Sequence, residues 1–298
     1  MSSLERFAYP VPGIEDLARP VRAALEAQLR PGETARQIIF APGQDQPVTS
    51  RRLRDRLSAW LSWQRTPEWV LLLTDERLLV AASPEGASSP QITMIPLADL
   101  LWLELGTILL HSWVAWSWAS AGRSQEQRIY FNTVRDDLFW ELVNTMRRAI
   151  IGQSGRPQPQ GDRDFAAFAG LPFKFRNLIP LRVLFPGEQA QAVVYQPALW
   201  RRRLGVFRQQ RAPTTVVALT RDHLVVAQDD LSNVRAAYGL IARYCPRDRV
   251  RGATLERAPG DLWLNVTLGL GETEQTLRLL FEPRAESALQ DLVAAMRA

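Results

Sequence analysis

Cysteine is nearly absent: Cys245 is the only one in 298 residues, which excludes an intrachain disulfide and a thiolate metal cluster. Its neighbours Tyr244 and Pro246 suggest a strand end, where a lone thiol packs as a small apolar group. Histidine is almost as scarce, with His111 in an apolar run and His223 in what reads as a hairpin turn. Plain solvation is the expectation for a turn histidine. The start, "MSSLERFAYPVPGIEDLARP", lacks a basic leader and a continuous apolar core, because Glu5, Glu15 and Asp16 break it up. A cytoplasmic protein, or one peripheral at the inner face of the membrane, is therefore expected.

Long charge-free apolar runs are missing too. The longest apolar stretch, "LLWLELGTILLHSWVAWSWASAG" from Leu100, contains Glu104 and His111, both costly at the middle of a bilayer. Its Trp, Val, Ile and Thr content and the alternation in "SWVAWSWAS" predict two buried strands instead of a membrane span.

Catalytic patterns are also missing. "GQSGR" (Gly152 to Arg156) falls short of a nucleophile elbow, and "GLGE" (Gly269 to Glu272) reads as a hairpin turn more than a nucleotide loop. The Asp162 and Asp164 carboxylates are expected to be solvated linker charges. No pair of groups has the spacing of acid-base or nucleophilic chemistry. The expectation is a protein that is not an enzyme, with no cofactor, no metal and no small-molecule substrate.

What the chain does contain is 46% apolar and 22% charged residues, a globular composition with enough length for two cores. It also contains the same order of landmarks twice. "RPGETARQIIF" from Arg30 answers "FPGEQAQAVVY" from Phe185, and "LLLTDERLLVA" from Leu71 answers "VALTRDHLVVA" from Val217. Pro96 answers Pro246, and the closing "LVNTMR" to Arg147 answers "LVAAMR" to Arg297. Landmarks kept in order, with length changes between them, are the mark of a duplicated domain. The copies are placed at residues 1–151 and 165–298, joined by the polar Gly- and Pro-rich linker of residues 152–164.

Each copy reads as a Pro-Gly turn, a β-branched strand, a tight hairpin, further strands and a closing amphipathic helix. In the first copy that helix starts at Thr133 with a capping-box spacing to Asp136, and Leu138, Leu142, Met146 and Ile150 share a face. In the second, Pro283 stands in the first turn. The "PGE" turn, the "LTD-x-x-LLV" hairpin, the "IPL-x-D" strand and "YFNTV" before the last helix together resemble the bacterial pleckstrin-homology-like domains, relatives of the GRAM domains. The resemblance covers roughly residues 17–151 and 165–298, and it departs in the second copy, where "FEPR" replaces "FNTV". It implies a mostly β (α+β) fold of two tandem, partly open β-barrels, each closed by a C-terminal amphipathic helix. It also implies homo-oligomers as one route to function.

Charge separates the copies. Residues 1–150 carry a net charge near −1 and the remainder near +6, within a total of +5. Such a field attracts anionic surfaces. Both copies insert a basic, aromatic segment after the first strand. In the first, Arg51, Arg52, Arg54 and Arg56 surround Leu53, Leu57 and Trp60; in the second, Arg201, Arg202, Arg203, Arg208 and Arg211 surround Trp200, Leu204 and Phe207. The i, i+4, i+7 spacing predicts short amphipathic helices suited to a membrane interface, or stripes packed on the barrel beneath solvated arginines. The function expected is an adaptor that binds a partner protein or an anionic lipid surface. The alternative is a self-assembling structural homo-oligomer, and nucleic acid is the less favoured partner because no nucleic-acid module is spelled out.

Overall fold

A computed structural model describes residues 7–47, 63–87, 89–108, 111–153, 161–203, 207–230 and 239–297. The protein is mostly β, built of several antiparallel sheets and a few short helices, and among the described residues no sheet closes into a barrel. Contacts divide the chain into two compact units. One comprises Met1–Ala98, Leu110–Trp113 and Ile129–Thr145; the other comprises Asp99–Leu109, Val114–Arg128 and Met146–Ala298.

The first unit holds β1 (Tyr9–Pro10), α1 (Arg19–Glu26), β2 (Gln37–Ala41), β3 (Asp45–Pro47), β4 (Trp63–Arg65), β5 (Glu68–Leu73), β6 (Arg77–Ser83) and β7 (Gln91–Pro96). Its sheet runs β1-β2-β5-β6-β7, with β3 and β4 as a separate ribbon. The central strands β5 and β6 are buried along most of their length, the pattern of strands covered on both faces. Leu25 of α1 covers one face, packing with Leu17, Ile38, Val70, Leu72 and Leu79. This helix lies before the first repeat landmark, and the repeat pattern does not call for it.

The next strands are β8 (Leu100–Ile108), β9 (His111–Ser120) and β10 (Arg123–Asn132). The apolar run from Leu100 thus forms two strands, and no helix among the described residues is long and apolar enough to cross a membrane. Between β9 and β10 the chain turns at Ala121 and Gly122, with φ of 49° and 74°, the two positive angles of the tight turn that matches strand twist. Helix α2 (Asp136–Ile150) follows a 3₁₀ turn. Asn132 caps that turn, its side chain accepting from Val134 N at 3.1 Å; the Thr133 hydroxyl, expected as the cap, bonds instead with Ser112 Oγ at 2.7 Å. Leu138, Leu142 and Met146 are buried as their spacing requires.

The second unit continues with α3 (Phe173–Leu178), β11 (Ala190–Gln196), β12 (Leu199–Arg203), β13 (Phe207–Ala212), β14 (Thr215–Thr220), β15 (His223–Gln228), β16 (Leu240–Pro246), β17 (Val250–Ala258), β18 (Asp261–Leu270), β19 (Thr273–Phe281) and α4 (Glu286–Arg297). A seven-stranded sheet runs β10-β9-β8-β16-β15-β14-β11, beside a three-stranded sheet β17-β18-β19 and the β12-β13 ribbon. The pairing of β8 with β16 joins a strand of the first sequence copy to one of the second, with Leu103 opposite Tyr244 and Glu104 opposite Arg243. Glu104, 3% exposed, accepts from Arg243 at 2.6 Å and from Arg128 at 3.3 Å.

Candidate functional site

The "PGE" turn is built identically in both copies. Pro31 and Gly32 occupy the middle of a turn closed by Glu33 N donating to Arg30 O at 3.0 Å; Glu188 N donates to Phe185 O at 3.1 Å in the other. Gly32 and Gly187 have φ of 81° and 78°, the left-handed value that proline followed by glycine supplies in a type II turn. Each glutamate side chain then bends back to accept from the first backbone N–H of its own turn, at 3.0 Å from Arg30 and 2.8 Å from Phe185. Its other oxygen accepts from the threonine that opens the hairpin, Thr74 at 2.8 Å or Thr220 at 2.7 Å. The repeated glutamate and threonine are therefore two halves of one latch between a turn and a hairpin.

The copies differ in the cation. In the first, Arg77 of the hairpin donates to both Glu33 oxygens and to Gln28 O at 3.1 Å. Hydrogen bonding to Arg77 holds the Glu33 carboxyl at about 2. In the second copy His223 stands where Arg77 does, and its Nδ1 is 3.7 Å from Glu188 Oε1, beyond hydrogen-bond reach. The guanidinium comes instead from Arg147, near the end of α2. It donates to Glu188 Oε2 at 3.2 Å and to Val183 O at 2.9 Å, the acceptors equivalent to Glu33 and Gln28. It lies between the rings of Phe185 and Tyr244, 4.0 and 3.9 Å from their centroids, and is fully buried.

His223, far from solvated, is 1% exposed, because the hairpin turns its side chain inward between Phe185 and Tyr244. Burial, then the nearby Arg147 charge, push its pKa below the ordinary value, against the opposing pull of Glu188. Burial alone would raise the Glu188 carboxyl, but the Arg147 charge, with the backbone N–H of Phe185, outweighs it and holds the group at about 2. A carboxylate so held takes up no proton near neutral pH, so it acts as a counter-ion more than a general base. Beside each latch lies an equivalent cleft. One, of about 300 Å³, is lined by residues including Pro31, Gly32, Thr34 and Asp75; the other, of about 370 Å³, by Pro186, Gly187, Gln189 and Arg221.

The basic insert of the second copy is a hairpin, β12 with β13, and not a helix. Alternation along the strand replaces a helical stripe: Leu199 and Ala212 pack with Leu280 and Trp263, while Trp200 is 44% exposed and Arg201 exposed. The pairing shifts by one residue between Leu199 and Trp200. Arg202, Arg203, Phe207 and Arg208 lie on the same two strands, with Arg202 opposite Arg208. Arg211 is committed to a paired contact with Asp261, one arm at 2.6 Å. Lys174, on α3, donates to Asp229 and Gly239 O. The insert of the first copy, with Arg51, Arg52, Arg54, Arg56 and Trp60, lies outside the described residues.

Two other sequence expectations resolve locally. Asp164 is no free linker charge, since its carboxylate accepts from Ala167 N at 3.2 Å and Ala190 N at 2.9 Å. Cys245 is buried in β16, and burial pushes its thiol up to about 12, which suits packing and not reactivity. No family model matches the chain, and no curated protein matches it significantly.

Proposed function

We propose that this is a non-catalytic adaptor of two tandem pleckstrin-homology-like domains, cytoplasmic or peripheral at the inner membrane face, whose second copy recognises an anionic surface. The observation that carries the reading is the β12-β13 hairpin. It is anchored at its base by Leu199, Ala212 and the Arg211–Asp261 pair, and it presents exposed Trp200 beside Arg201. An apolar ring next to arginine suits a lipid interface, where the ring enters the headgroup layer and the cation meets phosphate.

The test replaces Arg201, Arg202 and Arg203 with Gln and measures binding to liposomes containing anionic lipid at two salt concentrations. Each basic residue near an anionic leaflet contributes about 1 kcal/mol, so the triple variant should bind roughly a hundredfold more weakly, with unchanged melting. Equal binding by a folded variant, or indifference of the parent to anionic liposomes, refutes the lipid reading and leaves an acidic partner protein. Retention on single-stranded DNA in place of liposomes would point to nucleic acid.

A further inference from the structure

Helix α3 and the β12-β13 hairpin meet at the same end of strands β11 and β14 to β16. Gln196, Thr215, Gln228 and Ile241 are neighbours across those strands and mark that end. Only Pro197 and Ala198 separate β11 from β12, and only Pro213 and Thr214 separate β13 from β14. Lys174, in the first turn of α3, donates to Asp229 and to Gly239 O, just past β15 and just before β16, and Asp229 N donates to Thr214 O at 3.0 Å. The start of α3 is thereby clipped beside the base of the hairpin. Phe173 precedes Lys174 and is 75% exposed, more than any other large apolar side chain among the described residues. Arg176, one turn on and also exposed, holds its guanidinium 5.6 Å from the Phe173 ring centroid, within cation-π reach.

We propose that Phe173 and Arg176 of α3 join Trp200 and Arg201 of the hairpin in one lipid-contacting surface, with Phe173 as a second apolar anchor that enters the headgroup layer. This rests on the reading of the hairpin as the element that meets an anionic membrane. The fold itself does not require the exposed ring. The first copy also has a helix before its "PGE" turn, α1, but there Leu25 is buried, Val21 packs against the same core, and Arg22 pairs with Glu26 at 3.9 Å. Around α3, no acidic residue occurs from Phe165 to Gly187. The carboxylates at this end of the strands are occupied, Asp229 by Lys174 and Glu282, whose backbone N–H donates to Gln196, by Arg284; Asp230 is engaged too. Exposed aromatic rings flanked by arginine suit the boundary between anionic headgroups and acyl chains. Both anchors belong to one compact unit, so they reach the bilayer together, and losing both should cost more than losing either.

The test measures binding of the full chain to phosphatidylcholine vesicles containing about one-third phosphatidylserine, at low and moderate salt. Phe173→Ser should bind roughly tenfold more weakly at both salt concentrations, with melting unchanged because the ring is exposed; Phe173→Trp should bind like the parent. Trp200→Ser should act alike, and the chain carrying both serines should bind roughly a hundredfold more weakly. A fluorophore on Phe173→Cys, selective because Cys245 is buried, should shift to the blue with vesicles. One on Arg221→Cys, in the turn at the other end of β14 and β15, should not. A parent that ignores the vesicles overturns this inference together with the hairpin reading, and leaves this end of the strands to a partner protein. A parent that binds, and weakens when Arg201, Arg202 and Arg203 become Gln, while Phe173→Ser binds unchanged or the label at 173 stays in water, overturns this inference alone.

Discussion

Arg147 and His223 show how one charge requirement is met in two ways. Glu33 and Glu188 both need a guanidinium because each is turned inward by the same latch, and a buried carboxylate without a cation is strongly destabilising. The first copy supplies Arg77 from the hairpin itself; the second has His223 there and takes Arg147 from the end of α2. Arg147→Met should therefore cost about 3–5 kcal/mol in chemical denaturation, because it leaves Glu188 buried beside an imidazole that cannot reach it. Adding His223→Arg should recover a large part of that loss by rebuilding the arrangement of Arg77. A double variant no more stable than Arg147→Met would show that the two positions are not interchangeable.

Edges and ladders decide how the elements cooperate. Strands β8, β9 and β10 share one sheet with β11 and β14 to β16, which come from the far side of the linker, and β8 makes the junction with β16. The junction is sealed by Glu104 with Arg243, and nearby Gln275 of β19 accepts from Trp102 Nε1 at 3.0 Å and Ser117 Oγ at 2.8 Å. Protease cleavage within the linker of residues 152–164 should therefore leave the two pieces in one particle on size exclusion in native buffer. They should separate only in denaturant, since a ladder with a buried ion pair resists dissociation better than a linker does. Pieces that elute apart and fold separately would mean the ladder contributes little.

The stability of the whole molecule should fall on the acid side in two stages. His223 has a depressed pKa in the fold, so the unfolded chain binds its proton more readily, and stability is present above its ordinary value of 6.5 and lost as pH falls below it. Glu33 and Glu188 are likewise depressed, from 4.5 to about 2, so their contribution is present above 4.5 and disappears between those values. Each group contributes at most about 1.4 kcal/mol per pH unit within its window. Thermal melting followed from pH 8 to pH 3 should show both stages, and His223→Gln should flatten the first while leaving the second. An unchanged first stage in that variant would place its origin elsewhere.

Short-range chemistry made much of this architecture legible in advance. The Pro-Gly turns, the hairpins at Thr74 and Thr220, the buried strands from Leu100 and the closing helices are set by residues within a few positions of one another. The repeated order of landmarks, too, is a property of the sequence alone. The sequence pointed to a helical insert at Trp200, but a three-residue apolar spacing fits a strand with a shifted register equally well, and packing of Leu199 and Ala212 on Leu280 and Trp263 chose the strand. The inward turn of His223 is not legible locally, because a turn residue's exposure depends on what packs over it, here Phe185 and Tyr244. Only tertiary structure could assign Arg147 to Glu188, 41 positions away, or Glu104 to Arg243, 139 positions away. Such pairs depend on where folded elements place their ends, and local periodicity carries no information about that.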